Sequence, residues 1–106
     1  RGMLTTLHVK LNAQGRSQDL QAVYAQRYAD APFVDVMPAG VVPDTRSVRG
    51  ANVLRLSITR LPDVYVTLVV VQDNLVKGAS GQAVQNMNLM FDLPADTGLQ
   101  VLPLLP

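Results

Sequence analysis

The sequence predicts an α+β fold in which a mixed, mostly antiparallel sheet carries helices on one face. Three observations predict it. Four runs of β-branched and aliphatic residues have the alternation or the two-sided apolar character of strands. Two further segments repeat apolar residues at helical spacing. Prolines and glycines separate these runs into the order βαβββα, which favours helices packed on a largely antiparallel sheet.

The chain opens with a strand and a helix. In "RGMLTTLHVKL", residues 1–11, apolar and polar residues alternate, which predicts a half-buried strand. The letters "NAQGRS" that follow have the composition of a turn. Ser17 is then a candidate N-cap for a helix over residues 17–30, "SQDLQAVYAQRYAD". Its apolar residues recur at helical spacing, so we expect one face of this helix to pack on the sheet.

A short strand and a long connection occupy the middle of the chain. Pro32 limits the first helix, and "FVDVM", residues 33–37, follows as a strand. Residues 38–50, "PAGVVPDTRSVRG", are punctuated by prolines and glycines and form a connection. Long ordered connections in compact domains are often functional, which makes residues 38–50 a candidate functional segment.

Two strands and a second helix complete the predicted elements. "NVLRLSITR", residues 52–60, alternates, and "LPD" then turns the chain into a hairpin. "VYVTLVVVQ", residues 64–72, is apolar on both faces, as in a central strand or a strand at an interface. A helix runs from about Ser80 to Phe91, and its apolar face is expected in the core. That face contains Met87, Met90 and Phe91. Residues 92–106 form an irregular, proline-broken tail.

Composition limits the classes of protein to consider. At 106 residues the chain is a single domain or a domain fragment. It is 48% hydrophobic and only 16% charged, so we expect some apolar surface to meet another domain or subunit. The net charge of +1, without a basic run, predicts no nucleic acid and no anionic membrane as a partner. No apolar run approaches the ~20 residues of a membrane span, and we expect a cytoplasmic protein.

The stretch "DNLVKGASGQAVQNMNLMF", residues 73–91, places a lysine and two glycines between a strand and a helix. Backbone amides at a helix start bind anions, which suggests a phosphate loop. The spacing excludes the known motifs: a P-loop lysine follows the second glycine, whereas Lys77 precedes both Gly78 and Gly81. The dinucleotide fingerprint needs three glycines after the first strand of its unit. The residues alone therefore favour a tight strand-to-helix turn.

Other candidates for chemistry are few. His8 is the only histidine and has no serine or carboxylate at a telling spacing, so we expect a structural role. The aspartates lie mostly at turns and element ends, and no metal-ligand cluster follows from them. The chain contains no cysteine, which excludes a cysteine nucleophile and a metal site with thiolate ligands within it. We therefore predict no catalytic residue and no metal ligand in this chain.

The chain closely resembles the C-terminal third of N-acetyl-gamma-glutamyl-phosphate reductases. The resemblance runs nearly end to end and is carried by "RGMLTTLHV", "YADAPFVDVMPAGVVPDTRSVRGAN" and "DNLVKGASGQAVQNMNLMFDLPADTGL". That family is similar to the aspartate-semialdehyde and glyceraldehyde-phosphate dehydrogenases, which join a nucleotide-binding domain to a catalytic and oligomerisation domain. The chain would then be part of the second domain, in a homo-oligomer, with the N-terminal nucleotide-binding portion as its partner.

The resemblance implies an NADPH-dependent reduction of an acyl phosphate to a semialdehyde in arginine biosynthesis. In the family a cysteine displaces phosphate to form a thioester, and hydride then releases the aldehyde. The family's cysteine and its acid/base histidine match stretches upstream of Arg1, so the chain alone would be inactive.

Three residues are implied at the cofactor. In the wider dehydrogenase group an amide after an aspartate at a strand end contacts the nicotinamide carboxamide, and "DNL" puts Asn74 there. Lys77 and Gly78 would lie beside the cofactor cleft. Arg1, in the family's "RG" pair, is a weaker candidate for a contact with an anionic substrate. Asp92 departs from the family, which commonly has glycine at that place.

Two alternatives remain open from the sequence. The two-sided apolar strand and the missing cysteine also fit a non-catalytic oligomerisation or interaction module derived from this fold. A fragment of an aspartate-semialdehyde dehydrogenase is a third interpretation, which the detail of "VKGASGQAVQNMNLMF" fits less well.

Overall fold

A computed structural model describes residues 1–104 of the chain. Its four strands form one mixed sheet in the order β1-β4-β3-β2. The pairings of β1 with β4 and of β4 with β3 are antiparallel, whereas β2 runs parallel to β3. The predicted α+β class with a mostly antiparallel mixed sheet is confirmed. The strands span β1 Gly2–Lys10, β2 Val34–Val36, β3 Leu54–Arg60 and β4 Tyr65–Asp73.

The two-sided apolar strand is central, as predicted. β4 lies between β1 and β3, and its Val66 and Val71 are among the most buried residues of the chain. Val66 and Val71 lie on opposite faces of the sheet because side chains alternate along a strand, so β4 buries apolar side chains on both faces. Because β4 is central, its C-terminal end brings Asp73 and the residues after it to the middle of one sheet edge.

The first helix is shorter than predicted and is capped by a different residue. A short helix α1 (Ala13–Ser17) replaces the expected turn, with Asn12 accepting from the Gly15 amide at 2.8 Å. Helix α2 (Leu20–Arg27) then begins after Asp19, whose carboxylate accepts from the Ala22 amide at 3.2 Å. The Ser17 cap was therefore wrong, because Asn12 and Asp19 each offer a side-chain acceptor three residues before an unpaired amide.

The second helix lies where it was predicted, but it packs differently. A π-helical turn, Val76–Ser80, leads directly into α3 (Gly81–Met90). The residues of α3 that are buried are Gly81 and Asn88. The predicted core face is instead exposed: Met87 is 46% exposed, Met90 80% and Phe91 71%. Periodicity identified the apolar face correctly, but nothing within residues 1–104 covers it.

The first strand is also more exposed than predicted. It was expected to be half-buried, yet every residue of β1 is exposed, since the strand forms an edge of the sheet and no helix within residues 1–104 covers it. Large apolar side chains remain accessible there, among them Met3, Leu4 and Leu7. The exposed apolar surface expected from the low charge content is thus present on β1 and α3. Across residues 1–104, none of the helices has the length and apolar character needed to cross a membrane.

Candidate functional site

The C-terminal end of β4 is organised around one buried carboxylate. Asp73 is fully buried and accepts four hydrogen bonds. Oδ2 accepts from Arg1 Nε at 2.7 Å and from the Gly50 amide at 2.7 Å. Oδ1 accepts from the amides of Leu75 at 2.8 Å and Val76 at 3.2 Å. This side chain therefore joins the start of β1, the end of the 38–50 connection and the start of the π-helical turn.

The electrostatics of Asp73 follow from those bonds. Burial alone raises the pKa of the carboxyl group, but the hydrogen bonds from the Gly50 amide, Arg1 and the Leu75 and Val76 amides outweigh it and lower the pKa to about 2. The group is therefore a carboxylate at neutral pH. Charge-assisted hydrogen bonds of this kind are about twice as strong as neutral ones.

Asn74 follows Asp73 and carries an exposed side chain. Its backbone amide donates to the carbonyl oxygen of Arg1 at 2.9 Å. The amides of the next two residues donate to Asp73, so the backbone is fixed at Asn74 and directly after it. The side chain lies close to Gly78: a Cβ added to that glycine would come within 2.8 Å of Asn74 Oδ1. Glycine at position 78 thus leaves the space in which the Asn74 amide lies. The arrangement presents one donor and one acceptor group at the surface.

Lys77 lies in the same turn, but its ammonium group is directed at other protein groups. Nζ donates to Gln85 Oε1 at 2.8 Å and lies 5.3 Å from the centre of the Phe33 ring. Partial burial lowers the pKa of this lysine from its ordinary value. In this position Lys77 links the π-helical turn to α3 and to the residue before β2.

A polar cluster that the sequence did not predict lies beneath the turn. Asn52 is buried and its Nδ2 donates to Gln85 Oε1 at 3.3 Å, the same oxygen that Lys77 contacts. Gly81 packs directly against this side chain, because an added Cβ would lie 2.9 Å from both Asn52 Cγ and Val76 Cγ1. Gly81 therefore begins α3 where a larger residue would displace the cluster.

A cavity lined by three arginines opens beside the Asp73 carboxylate. Its volume is about 230 Å³. The lining residues come from the start of β1 and from the end of the 38–50 connection: Arg1, Gly2, Thr45, Arg46 and Arg49. Thr45 and Arg46 belong to a 3-10 turn, Thr45–Val48, that is capped by Asp44. Sequence reasoning named Arg1 and the connection separately, but it missed Arg46 and Arg49 because only the fold brings them together.

The remaining candidates are placed as follows. His8 lies on β1, where its Nδ1 is 2.9 Å from Thr67 Oγ1 on β4, a cross-strand contact of the kind expected for a structural residue. Among residues 1–104, no group of three His, Cys, Asp or Glu side chains is arranged to hold a metal ion. Asp73, which sequence reasoning also missed as a site residue, carried one signal: it is an acid directly after a strand that is apolar on both faces.

Comparison with known proteins gives this geometry a family context. Residues 1–74 match the family described as "Semialdehyde dehydrogenase, dimerisation domain". Proteins named N-acetyl-gamma-glutamyl-phosphate reductase align with the whole chain. One from Bordetella pertussis is 58% identical over 107 residues, one from Acinetobacter baylyi 56% over 106, and one from Bordetella avium 52% over 107. The chain spans 30% of the length of each of these relatives.

The matched region contains β1 to β4 and ends at Asn74, so it includes both the sheet and the carboxylate at its edge. The resemblance that the motifs predicted is thereby confirmed at the level of the family. Because the match covers more than two thirds of the chain, the chain belongs to the semialdehyde dehydrogenase dimerisation-domain family.

Proposed function

We propose that this chain is the C-terminal portion of an NADPH-dependent N-acetyl-gamma-glutamyl-phosphate reductase, which acts in the cytoplasm in arginine biosynthesis. The enzyme would reduce the acyl phosphate to N-acetylglutamate semialdehyde. The support is the shared name of relatives that are 52–58% identical over the whole chain. The family description alone fits aspartate-semialdehyde dehydrogenases as well, but the relatives' names favour the reductase. They lend no support to a non-catalytic module.

Within this proposal the chain supplies binding and positioning, not the nucleophile. It contains no cysteine, and its single histidine, His8, makes a cross-strand contact with Thr67. The thioester-forming cysteine and the acid/base histidine would come from the portion of the enzyme upstream of Arg1. The chain would complete the active site by bringing the end of β4 beside the nicotinamide.

The observation that carries the proposed site is the exposed, anchored amide of Asn74. Asp73 and the carbonyl of Arg1 hold the backbone on either side, and Gly78 leaves room for the side chain. An amide pairs with the nicotinamide carboxamide by donating one hydrogen bond and accepting another, which orients the ring. NADPH supplies the hydride when bound. Asn74 would fix which face of the ring meets the substrate.

Lys77 and Gly78 would act beside the cofactor by shaping this turn. Gly78 provides the space for the Asn74 amide, as its close approach to Oδ1 indicates. Lys77 is bonded to Gln85, so we assign it the role of holding the turn on α3, next to the cofactor cleft. Replacing Lys77 would then act mainly by loosening the turn, and not by removing a positive charge that contacts the cofactor.

The proposed partners account for the exposed apolar surfaces. A second copy of the enzyme would cover β1, consistent with the family's description as a dimerisation domain. The N-terminal nucleotide-binding portion would cover the exposed side of α3, where Met90 and Phe91 lie. Both surfaces are apolar, so their burial would stabilise the assembled enzyme by about 25 cal/mol for each Å² removed from water.

Replacing Asn74 with aspartate in the full-length protein tests this assignment. Asn74→Asp keeps the shape, replaces the donor with a second acceptor oxygen and adds a negative charge, so we expect kcat/KM for NADPH to fall by about ten- to a hundredfold. The KM for the acyl phosphate should stay within about twofold of its original value, since only the cofactor contact is lost. The measurement is steady-state NADPH oxidation at varied cofactor concentration.

Asn86→Asp is the matched control for this variant. Asn86 is an exposed amide on α3 that bonds to Gln82, away from the end of β4. It should leave both kinetic constants unchanged. Equal kinetics for Asn74→Asp and the original protein would remove Asn74 from the cofactor site.

A further inference from the structure

We propose that the cavity lined by Arg1, Arg46 and Arg49 is a binding site for a phosphate-class anion. The ligand would be a tetrahedral phosphate group. It could belong to the acyl phosphate, be free phosphate, or belong to the cofactor. Guanidinium groups match the geometry of phosphate oxygens with paired N–H donors, and they stay charged at any physiological pH.

The cavity is formed by a close approach of two chain segments. The backbone of Gly2 lies against Thr45, because a Cβ added to this glycine would be 2.5 Å from Thr45 Cβ. The cavity of about 230 Å³ is smaller than the roughly 300–1,000 Å³ of pockets for drug-sized ligands. It suits a small anion or one charged group of a larger molecule.

The walls are held in place by Asp73. A single oxygen, Oδ2, accepts from Arg1 Nε and from the amide of Gly50, the residue after Arg49. The carboxylate thus fixes the two sides of the cavity relative to each other. The bond at Nε leaves the terminal nitrogens of Arg1 as donors for a ligand.

The charge in the cavity is not balanced by the protein. Asp73 is the acid that contacts a lining arginine, and it pairs with Arg1. The carboxylate of Asp44 accepts from the Ser47 amide at 2.9 Å. Within residues 1–104, the guanidinium groups of Arg46 and Arg49 make no hydrogen bond and no ion pair. Three arginines line one cavity, against one carboxylate that contacts one of them, and this excess of positive charge attracts an anion.

The cavity lies at the same end of the sheet as Asn74. The carbonyl of Arg1 accepts from the Asn74 amide at 2.9 Å, and Gly2 pairs with Asp73. If Asn74 orients the nicotinamide, a phosphoryl group in this cavity would lie beside the reacting end of the cofactor. This last step rests on the proposed function, whereas anion binding itself does not.

Phosphate titration of the full-length protein tests the site. Isothermal titration calorimetry with inorganic phosphate at constant ionic strength should show saturable binding. Arg46→Gln and Arg49→Gln should each weaken that binding by about tenfold, the loss of one charge-assisted contact. Both arginines are exposed, so neither variant should unfold the protein. Arg16→Gln, which removes an exposed arginine at the end of α1, is the control and should change nothing.

Two results would overturn the site. One is a protein that shows no saturable phosphate binding, and the other is equal weakening by Arg16→Gln and by the cavity variants. Because the titration needs no turnover, a protein that binds phosphate without reducing the acyl phosphate would contradict the proposed function and leave the anion site in place.

Kinetics of the same variants identify the source of the phosphoryl group. An increased KM for the acyl phosphate at unchanged KM for NADPH would assign the cavity to the substrate. A loss of preference for NADPH over NADH, at unchanged KM for the acyl phosphate, would assign it to the cofactor's 2′-phosphate. Because that phosphate is at the adenosine end of the cofactor, this result would also place the nicotinamide away from Asn74. Unchanged values of all three quantities would exclude the cavity from the reaction site.

Discussion

At the scale of single residues, the partners of Asp73 show the limit of sequence reasoning. The motif around Asp73 led, through a family resemblance, to the prediction that the next residue, Asn74, contacts the cofactor. The partners of Asp73 could not be predicted from local pattern, because Arg1 lies 72 positions away and Gly50 lies 23 away. Hydrogen bonds between distant segments depend on the strand order, which brings β1 beside β4.

Removing the charge of Asp73 should loosen the segments that it joins. Asp73→Asn replaces one acceptor oxygen with an amide donor, so two or more of its four donors lose their partner. We expect faster hydrogen exchange at the amides of Gly50, Leu75 and Val76, measured by mass spectrometry on the full-length protein. Asp35→Asn, which removes a half-exposed ion pair with Arg55, is the control. Unchanged exchange at Gly50 in Asp73→Asn would contradict the role assigned to this carboxylate.

The same carboxylate predicts a dependence of stability on pH. Its pKa in the fold is about 2, below the ordinary 3.8, so the folded state binds fewer protons than the unfolded state. The stabilisation is complete above about pH 4 and is lost as the pH falls from there through 2. Its size is on the order of 2 kcal/mol. The midpoint of denaturant unfolding should fall over this range in the original protein and fall less in Asp73→Asn. Equal slopes for the two proteins would contradict the depressed pKa.

At the scale of elements, the positions of the strands were predicted better than the burial of the elements. Alternation and two-sided apolar character identified β1, β3 and β4, because the pleat repeats every two residues whatever lies above it. The burial of β1 and α3 was predicted wrongly for one reason. Periodicity shows which face is apolar, but only the assembled protein determines what covers that face.

The exposed edge strand should control self-association. Leu4 is 56% exposed on β1, and a charge there would be trapped in any interface that buries this strand. We expect Leu4→Glu to shift the full-length protein toward smaller species in sedimentation-velocity ultracentrifugation. Val42→Glu, at an exposed valine of the 38–50 connection, is the matched control. An unchanged oligomeric state in Leu4→Glu would exclude β1 from the interface between copies.

The end of α3 offers a stabilising substitution. Asp92 follows the helix with φ of +55°, in the left-handed region that favours glycine. Asp92→Gly should therefore raise the melting temperature by a few degrees, corresponding to about 0.5–1 kcal/mol. Asp96→Gly, at a residue outside the left-handed region, should lower it. A lower melting temperature for Asp92→Gly would show that its side chain contributes more than the strain costs.

At the scale of the whole molecule, the chain is less compact than a typical domain of its length. It measures 43 × 33 × 19 Å, with a radius of gyration of 15.1 Å, whereas a compact chain of this length has about 13 Å. Large apolar side chains of β1 and α3 are exposed, and the chain spans 30% of its relatives' length. Composition predicted this exposed apolar surface, because 16% charged residues are few for a surface that faces only water.

The most direct measurement is the reverse reaction of the full-length protein, followed as NADPH formation at 340 nm from N-acetylglutamate semialdehyde and NADP⁺. We predict that NADPH formation beyond one equivalent of enzyme requires added inorganic phosphate, since hydride transfer leaves the acyl group on the cysteine and phosphate must then release it. We also predict that Asn74→Asp slows this rate by about tenfold or more, whereas Asn86→Asp does not. Continued NADPH formation that needs no phosphate, or no NADPH formation at any phosphate concentration, would contradict the proposed reductase.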